Sequence, residues 1–376
     1  MTTKTSFKIE TDAFAFDNSW PIDGRELNEI RRYLAHEHAA AVRALANSGL
    51  AHRIVRAIHE RHLIDEWMRD EHVTKYGLCG GMAYAALDYY RQGWVIPQGT
   101  GPHDHPTNDG AAGGLLRNYI WRRLLDSMQS RAAGTMLAWS LALHLIPRLG
   151  PAWVLAQSKK EWAPLKERLD AGEPWPIGLV GMAHGSFANH QVLALGYDDP
   201  GDGTGTIYVY DSTCPAHVHT LALDFRGRSV TIDESCARGR ADTRWKGFFR
   251  DAYTPARPPI AVGLSGGMTV ALAPGARAGD AETLRYTARN YSFSRCPALA
   301  LRIGGQSADH GGADHRGGEE KPLPLDAGAG RTLVQALQHD GAAGVERYSA
   351  RCYLGLVDGV DVWKDIPAHA PEVTTL

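Results

Sequence analysis

The sequence predicts an α+β protein in which helices come first, strands follow, and a second, all-β region completes the chain. Three observations favour this plan. Apolar residues recur at helical spacings of three and four before Pro176, and after it they alternate as in strands. At residues 254–259 three prolines coincide with a change in composition, and only short strand-like runs remain beyond them. The predicted domains are residues 1–254, helical and then sheet-rich, and residues 260–376, a β-sandwich.

Composition and charge narrow the function classes. The chain has 376 residues, a hydrophobic fraction of 44% and a formal net charge of −2, as in a soluble globular protein with room for two cores. This balance gives no electrostatic reason to bind nucleic acid or an anionic membrane. Residues 136–149, the longest apolar tract, are too few to span a membrane, and the N-terminus has no secretory signal. We expect a cytoplasmic protein, with export by a signal-independent route left open.

Cysteine and histidine usage predicts neither a cofactor nor a metal. The five cysteines are widely spaced and include no Cys-x-x-Cys pair, which argues against a zinc ribbon or a disulfide framework. Cys296 and Cys352 could pair across the predicted sandwich, but two buried thiols are expected in a reducing compartment. Zinc needs three or four convergent ligands, and no third ligand is apparent for any His-x-His pair. These pairs are His36/His38, His103/His105 and His217/His219.

The first region is predicted to be mostly helical. Residues 14–21 alternate apolar and polar side chains, as a short strand or a docking arm would. Residues 94–114 are rich in Gly, Pro, His and Asp, which predicts a long loop. The predicted helices are residues 23–48, residues 51–67, the run that begins at Cys79, and residues 115–129, 136–149 and 162–171.

The strands are predicted from alternation and turn residues. Residues 190–197 and 206–211 should form a hairpin, because the loop 198–205 between them is rich in turn residues. Other strands are predicted at residues 177–182, 219–225 and 229–232. In the second region they are predicted at residues 269–272, 284–290, 298–303, 332–337, 349–356 and 361–366, with a mobile loop over residues 304–320.

Cys79 has the setting of a nucleophile. It follows a turn and opens a helical run, where unpaired backbone N–H groups and the helix dipole favour a thiolate. The adjacent Gly80 and Gly81 would let backbone and substrate approach closely. The alternative is a buried cysteine that acts as a small hydrophobic residue.

A histidine and an aspartate complete a possible site. Symmetric pairing in the predicted hairpin puts residue 192 opposite residue 211, so that Asp211 becomes a diagonal neighbour of His190 on the same face. Cys79 would then attack a carbonyl, His190 would carry the proton, and Asp211 would orient the imidazole. Alternatively, His190 is a satisfied strand-end histidine and Asp211 a capping carboxylate. His184 is a second candidate base, but no aspartate is paired with its position.

These residues resemble the papain-like cysteine peptidase superfamily. The resemblance lies in residues 77–82 (Gly-Leu-Cys-Gly-Gly-Met), 189–194 (Asn-His-Gln-Val-Leu-Ala) and 210–212 (Tyr-Asp-Ser). It is closest to a bacterial branch in which the third member is usually aspartate. Residues 16–20 also resemble an N-terminal Phe-x-Asn-Ser-aromatic segment of bacterial papain-like proteins. The likeness implies a papain-like domain, in which the cysteine opens a central helix packed on a small antiparallel sheet that carries histidine and aspartate.

One family feature is missing, which leaves the oxyanion donors open. Papain-like enzymes have a glutamine shortly before the nucleophile, and residues 72–76 contain none. The backbone N–H of Cys79 is one candidate donor, and Asn18 or Thr74 is the second. Asn18 could equally be a turn residue. The substrate-binding candidates are Trp20, Gly80, Gly81 and Asn189.

Two hypotheses of function follow. The first is a thiol-dependent hydrolase or acyltransferase that forms an acyl-enzyme with a peptide, isopeptide or other acyl substrate. The second is a non-catalytic papain-like scaffold that binds a protein or a glycan, with the C-terminal domain recruiting the partner. Resemblance of fold alone does not decide the substrate.

Overall fold

A computed structural model shows the architecture of most of the N-terminal region and of the strands that follow it. The described residues are 2–26, 28–29, 32, 77–99, 101–106, 111–145, 149–181, 189–236, 244–266, 269–271, 281–290, 296–300, 306–307, 323–325, 330–338, 345–347, 350–366 and 373–375. The predicted helix 51–67 lies outside them, as do Thr74, His184 and most of the predicted helix 23–48. The predicted mobile loop 304–320 is described only at residues 306–307.

The described helices lie where the sequence predicts helices, but several of them begin or end at different residues. They are α1 (Ile9–Asp12), α2 (Cys79–Gln92), α3 (Ala111–Ser127), α4 (Ala133–Leu145) and α5 (Gly150–Asp170), with a π-helical turn, Met128–Ala132, between α3 and α4. The prediction was wrong for residues 111–114, which are helical, and for α5, which begins at Gly150 rather than at residue 162. Pro151 occupies the first turn of α5, where a missing N–H leaves no hydrogen bond unmade.

Helix α2 is the central helix of this region. Its residues from Cys79 to Tyr89 are all buried, and a helix buried on every side lies inside a core. It ends at Gly93, whose φ of +66° allows its N–H to reach the carbonyls of Tyr89 and Tyr90. Cys79 therefore starts a helix that the rest of the domain surrounds.

An antiparallel sheet packs beside α2, which confirms the α+β class. Its strand order is β7-β6-β5-β4-β3-β2-β8, and β1 pairs with the distal half of β3. The strands are β1 (Thr2–Lys4), β2 (Trp175–Val180), β3 (His190–Asp198), β4 (Thr204–Tyr210), β5 (Val218–Asp224), β6 (Thr231–Glu234), β7 (Arg244–Trp245) and β8 (Gly247–Arg250). Strands β1, β7 and β8 were not predicted; each has four residues or fewer, too few for alternation to stand out.

The predicted hairpin is confirmed, including its register at the end near the site. Leu193 pairs with Tyr210 and Ala194 with Val209, so continuing the ladder brings residue 192 opposite residue 211. A bulge between Ala194 and Gly196 changes the register toward the loop. Asp211 directly follows β4 at the same end of the sheet at which His190 opens β3.

Residues 13–20 form a docking arm, and no strand is present there. Phe14, Phe16 and Trp20 are buried in the same apolar core as α2. The alternation of this segment thus reflects insertion of every second side chain into the core, not a sheet ladder.

The C-terminal residues form strands in several sheets. The strands are β9 (Val262–Gly266), β10 (Thr269–Ala271), β11 (Ala281–Asn290), β12 (Cys296–Ala300), β13 (Gln306–Ser307), β14 (Leu323–Leu325), β15 (Gly330–Gln338), β16 (Val345–Arg347), β17 (Ala350–Val357), β18 (Val360–Ile366) and β19 (Val373–Thr375). Their orders are β15-β11-β9, β14-β12-β17-β18 and β13-β16-β10-β19. Each predicted strand of this region has a counterpart. The sandwich packing and the domain boundary at residues 254–260 stay predictions.

The cysteine pairing differs from the expectation of unpaired thiols. Cys214 and Cys236 form a disulfide, and Cys352 is also disulfide-bonded. The first bridge joins the segment after β4 to the segment after β6, so its partners meet only once the sheet has formed. Within the described helices, none combines the length and the apolar character needed to cross a membrane.

Candidate active site

Cys79 lies at the first residue of α2, as the sequence predicts. The preceding residue, Leu78, gives the helix no side-chain cap, so the first-turn N–H groups are left to the site. Among the described cysteines Cys79 has a free thiol, and only 9% of the residue is exposed. A negative charge at this helix end is stabilised by the helix dipole.

His190 connects Cys79 to Asp211. Its Nε2 lies 2.7 Å from Oδ1 of Asp211, and Cys79 is close enough to the same ring to raise its pKa. Because Nε2 is directed at Asp211, Nδ1 is the ring nitrogen that remains for the thiol. Asp211 is itself held by the backbone N–H of Thr213, at 2.7 Å from Oδ1. The three side chains thus form a continuous chain of polar contacts across α2, β3 and the end of β4.

The electrostatics of this chain favour a charged imidazole. Burial lowers the pKa of His190, but the charges and hydrogen bonds of Asp211 and Cys79 outweigh it and hold that pKa well above its ordinary value. Burial raises the pKa of Asp211, but the His190 charge and several hydrogen bonds outweigh it and hold that pKa below its ordinary value. At neutral pH the pair is therefore an imidazolium beside a carboxylate.

Two residues that were not predicted complete the surroundings of the pair. Burial and the interaction with Asp211 raise the pKa of Glu234 to about 8, so its carboxyl group is protonated at neutral pH and can donate to Asp211. Trp245 donates from Nε1 to Oε2 of Glu234 at 2.7 Å. The Trp245 ring also stacks on His190, with 6.1 Å between centroids and 20° between planes. Glu234 is the last residue of β6 and lies two positions beyond the predicted strand 229–232. Only the lateral order of the strands could have indicated that it lies near Asp211.

Asn18 is located between the nucleophile and the aspartate segment. Its carbonyl accepts the N–H of Leu78 at 3.3 Å, and its N–H donates to the carbonyl of Ser212 at 3.1 Å. Its side-chain Nδ2 donates to Oγ1 of Thr213 at 3.3 Å. These contacts hold Asn18 against the residue that precedes Cys79, and its role as an oxyanion donor stays a prediction. The alternative donor Thr74 lies outside the described residues.

The other substrate-binding candidates have roles within the protein. A Cβ on Gly80 would lie 2.0 Å from Oε1 of Gln191, and one on Gly81 would lie 2.2 Å from the Ile120 carbonyl. These glycines let α2 pack closely against its own neighbours, and their role toward a substrate stays a prediction. Trp20 is buried and donates to the carbonyl of Asp17 at 2.7 Å, so it too belongs to the core. Asn189 is half-buried, and its side chain accepts the N–H of Gly181 at 3.3 Å.

Three groups of potential metal ligands occur among the described residues. His190, Asp211 and Glu234 belong to the site above, and the sulfurs of Cys214 and Cys236, near His219, are joined to each other. The third group is Asp17 with His103 and His105. Asp17, His103 and His105 are therefore the group at which the prediction of no metal can be tested.

The chain matches no protein-family model, no curated protein and no solved structure. The geometry of the site has to be interpreted from its own residues.

Proposed function

We propose that this chain is a thiol-dependent hydrolase or acyltransferase that uses Cys79 as its nucleophile. The observation that supports this most is the buried His190–Asp211 pair, with 2.7 Å between Nε2 and Oδ1, directed at a thiol on the first turn of a helix. A cysteine, a histidine and an orienting carboxylate in this order are the components of thiol-based acyl transfer. The resemblance to papain-like cysteine peptidases is independent of these distances and agrees with them.

The reaction would proceed in two stages. The Cys79 thiolate attacks the carbonyl carbon of an amide, thioester or ester, and the carbonyl oxygen becomes an oxyanion that accepts N–H groups from Cys79 and Asn18. His190 gives its proton to the leaving group as the acyl-enzyme forms. Water, or an amine or thiol of a second substrate, then attacks the acyl carbon while His190 accepts the proton. Hydrolase and acyltransferase differ only in that second nucleophile. Peptide or isopeptide bonds are the first substrate class to test.

The burial of the site favours one alternative. Cys79 is 9% exposed and His190 is 7% exposed, so little of either residue is open to a substrate. A papain-like scaffold that binds a protein or a glycan without turnover would need no such access. The C-terminal strands would then serve as the recruiting surface.

The disulfides give an argument about the compartment in which the protein functions. Disulfide bonds persist in oxidising compartments and are rare in the reducing cytosol. The Cys214–Cys236 bridge and the bonded Cys352 therefore favour export over the cytoplasmic expectation.

The alkylation rate of Cys79 as a function of pH tests the proposal. A small haloacetamide, with intact-mass detection and peptide mapping, should label Cys79 faster than an unactivated thiol, because the His190 base lies next to it. His190→Ala should slow this labelling at pH 6 by at least about tenfold. His217→Ala, at an exposed histidine away from the site, should leave it unchanged.

The opposite result would support the binding scaffold. If Cys79 reacts no faster than a thiol in unfolded protein, and ignores His190→Ala, the acyl-enzyme proposal fails.

A further inference from the structure

We propose that Asp17, His103 and His105 form a binding site for a first-row divalent metal ion, with Zn²⁺ as the best fit. The inference does not depend on the proposed function. Two imidazoles and one carboxylate form a common donor set for Zn²⁺ and its neighbours in the first row. The sequence offers the two histidines as a His-x-His pair, and the fold adds the third ligand from a segment more than 80 positions away.

The distances among the donor atoms suit a metal ion. Oδ1 of Asp17 lies 2.9 Å from Nε2 of His105, and Oδ2 of Asp17 lies 3.4 Å from Nδ1 of His103. One donor atom from each residue can be chosen so that all three lie within 4.8 Å of one another. In a tetrahedral zinc site with bonds of 2.0–2.1 Å, neighbouring ligand atoms are about 3.3 Å apart. Two of these separations are close to that value, so modest side-chain rotations could place all three ligands around one ion.

The charge of Asp17 provides a second argument. Its side chain is 9% exposed, and a buried carboxylate needs a compensating positive charge. In the described part of the chain, the groups within ion-pair distance of Asp17 are these two histidines, which carry a full charge only when protonated. A divalent cation between them would supply that charge while the imidazoles stay neutral.

Two of the ligands are already held in place. The N–H of Asp17 donates to the carbonyl of Pro102 at 2.8 Å, which joins the docking arm to the loop that carries both histidines. Oδ1 of Asp17 accepts the N–H of Ser19 at 2.9 Å, a contact that orients the carboxylate. The His105 ring packs at 5.8 Å from that of Trp20. His103, by contrast, is 85% exposed on its side chain, which leaves a route for the ion to enter.

Such a site would leave the fourth position of a tetrahedral ion to water. It would also connect the loop 101–106 to the arm residue that directly precedes Asn18. The ion would thus stabilise the docking arm as a structural metal site.

The test uses the full chain with Cys79→Ala, because a thiol beside an imidazole also binds zinc. Metal-stripped protein is titrated with Zn²⁺ by calorimetry and with Co²⁺ by visible absorption, which reports coordination geometry directly. We expect one equivalent of each ion to bind, and the melting temperature to rise with Zn²⁺. His103→Ala and Asp17→Asn should each weaken this binding by at least about tenfold.

His103→Ala is the decisive variant for the metal site. Because the His103 side chain is exposed, replacing it should not affect folding. His217→Ala, in another His-x-His pair, serves as the control and should bind both ions as the parent does. If the parent binds neither ion, or if His103→Ala binds them as tightly as the parent, the three residues form a hydrogen-bonded cluster and the metal site is excluded.

Discussion

Asp88 and Asp211 are two buried carboxylates whose surroundings have opposite effects on their charge. Asp88 lies 2.7 Å from Nε of Arg123 and accepts the hydroxyls of Tyr119 and Tyr253, yet burial dominates and its pKa is raised. Asp211 faces His190, and there the imidazolium and the hydrogen bonds outweigh burial, so that its pKa is lowered. Both are fully enclosed, but only the second has a partner that can gain and lose a proton near neutral pH.

The difference indicates what each cluster does. Asp88, on α2, contacts Arg123 of α3 and accepts the N–H of Ala256 at 2.9 Å. It therefore holds α2, α3 and the segment around residue 256 together. A guanidinium stays charged at all accessible pH values, and the resulting contact is permanent. Asp211 instead stabilises one protonation state of His190 over the other. The Asp88 cluster joins segments of the fold, whereas the Asp211 cluster favours the charged form of the His190 imidazole.

The pH dependence of stability should separate the two carboxylates. A raised pKa in the folded state means that Asp88 favours folding most at low pH and contributes less as pH rises above its unfolded value. A lowered pKa means that Asp211 contributes above its unfolded value and that this contribution is lost as pH falls.

The largest expected effect is on stability, from Asp88→Ala. Removing this carboxylate breaks the buried ion pair with Arg123 and leaves that guanidinium with the half-exposed Asp126 as its acidic partner. Breaking a buried pair in this way destabilises proteins by about 3–5 kcal/mol. Urea unfolding measures the change. Asp224→Ala, which removes an exposed ion pair with Arg226, is the matched control and should leave the free energy of unfolding nearly unchanged. Equal losses in the two variants would show that burial gives Asp88 no special role.

The next effect is on reactivity, from Asp211→Asn. The asparagine can donate an N–H to Nε2 of His190, which puts the ring proton on Nδ1, where the thiol proton should be accepted. Alkylation of Cys79 at pH 6 should fall by about 100-fold. The same substitution at the other carboxylate, Asp88→Asn, should leave the rate in folded protein within about twofold. If the alkylation rate falls similarly in Asp211→Asn and Asp88→Asn, any loss of a buried charge slows the reaction of Cys79. The two carboxylates would then not differ in their effect on the thiol.

Sequence reasoning predicted the parts of the site that depend on local pattern. The hairpin register follows from turn residues and alternation, so the approach of His190 to Asp211 could be anticipated, and so could the position of Cys79 at the start of α2. Sequence reasoning did not reach Glu234 and Trp245, because their position depends on the lateral order of β4 to β7. It also missed the Cys214–Cys236 bridge, whose partners are 22 residues apart and meet only in the assembled sheet.

Packing accounts for features that the sequence did not suggest. Gly80 and Gly81 were expected to let backbone and substrate approach closely, but small residues serve equally where a helix approaches its neighbours, and sequence does not distinguish these uses. Likewise, no spacing rule connects Asp17 to the loop with His103 and His105. Contacts of this kind are decided by how the arm docks, a property of the whole core.

The most gradual effect concerns the protonated Glu234 behind Asp211. Its pKa of about 8 lies above that of an unfolded glutamate, so the folded protein retains a proton that the unfolded chain has released at intermediate pH. Stability from this residue should therefore decline as pH rises toward 8. Glu234→Gln keeps a neutral donor toward Asp211 and removes the titration. The unfolding free energy of the wild type, relative to this variant, should thus fall steadily between pH 5.5 and 8. A flat difference for Glu234→Gln would mean that Glu234 is ionised in the folded protein, and Asp211 would then have a second negative charge beside it rather than a hydrogen-bond donor.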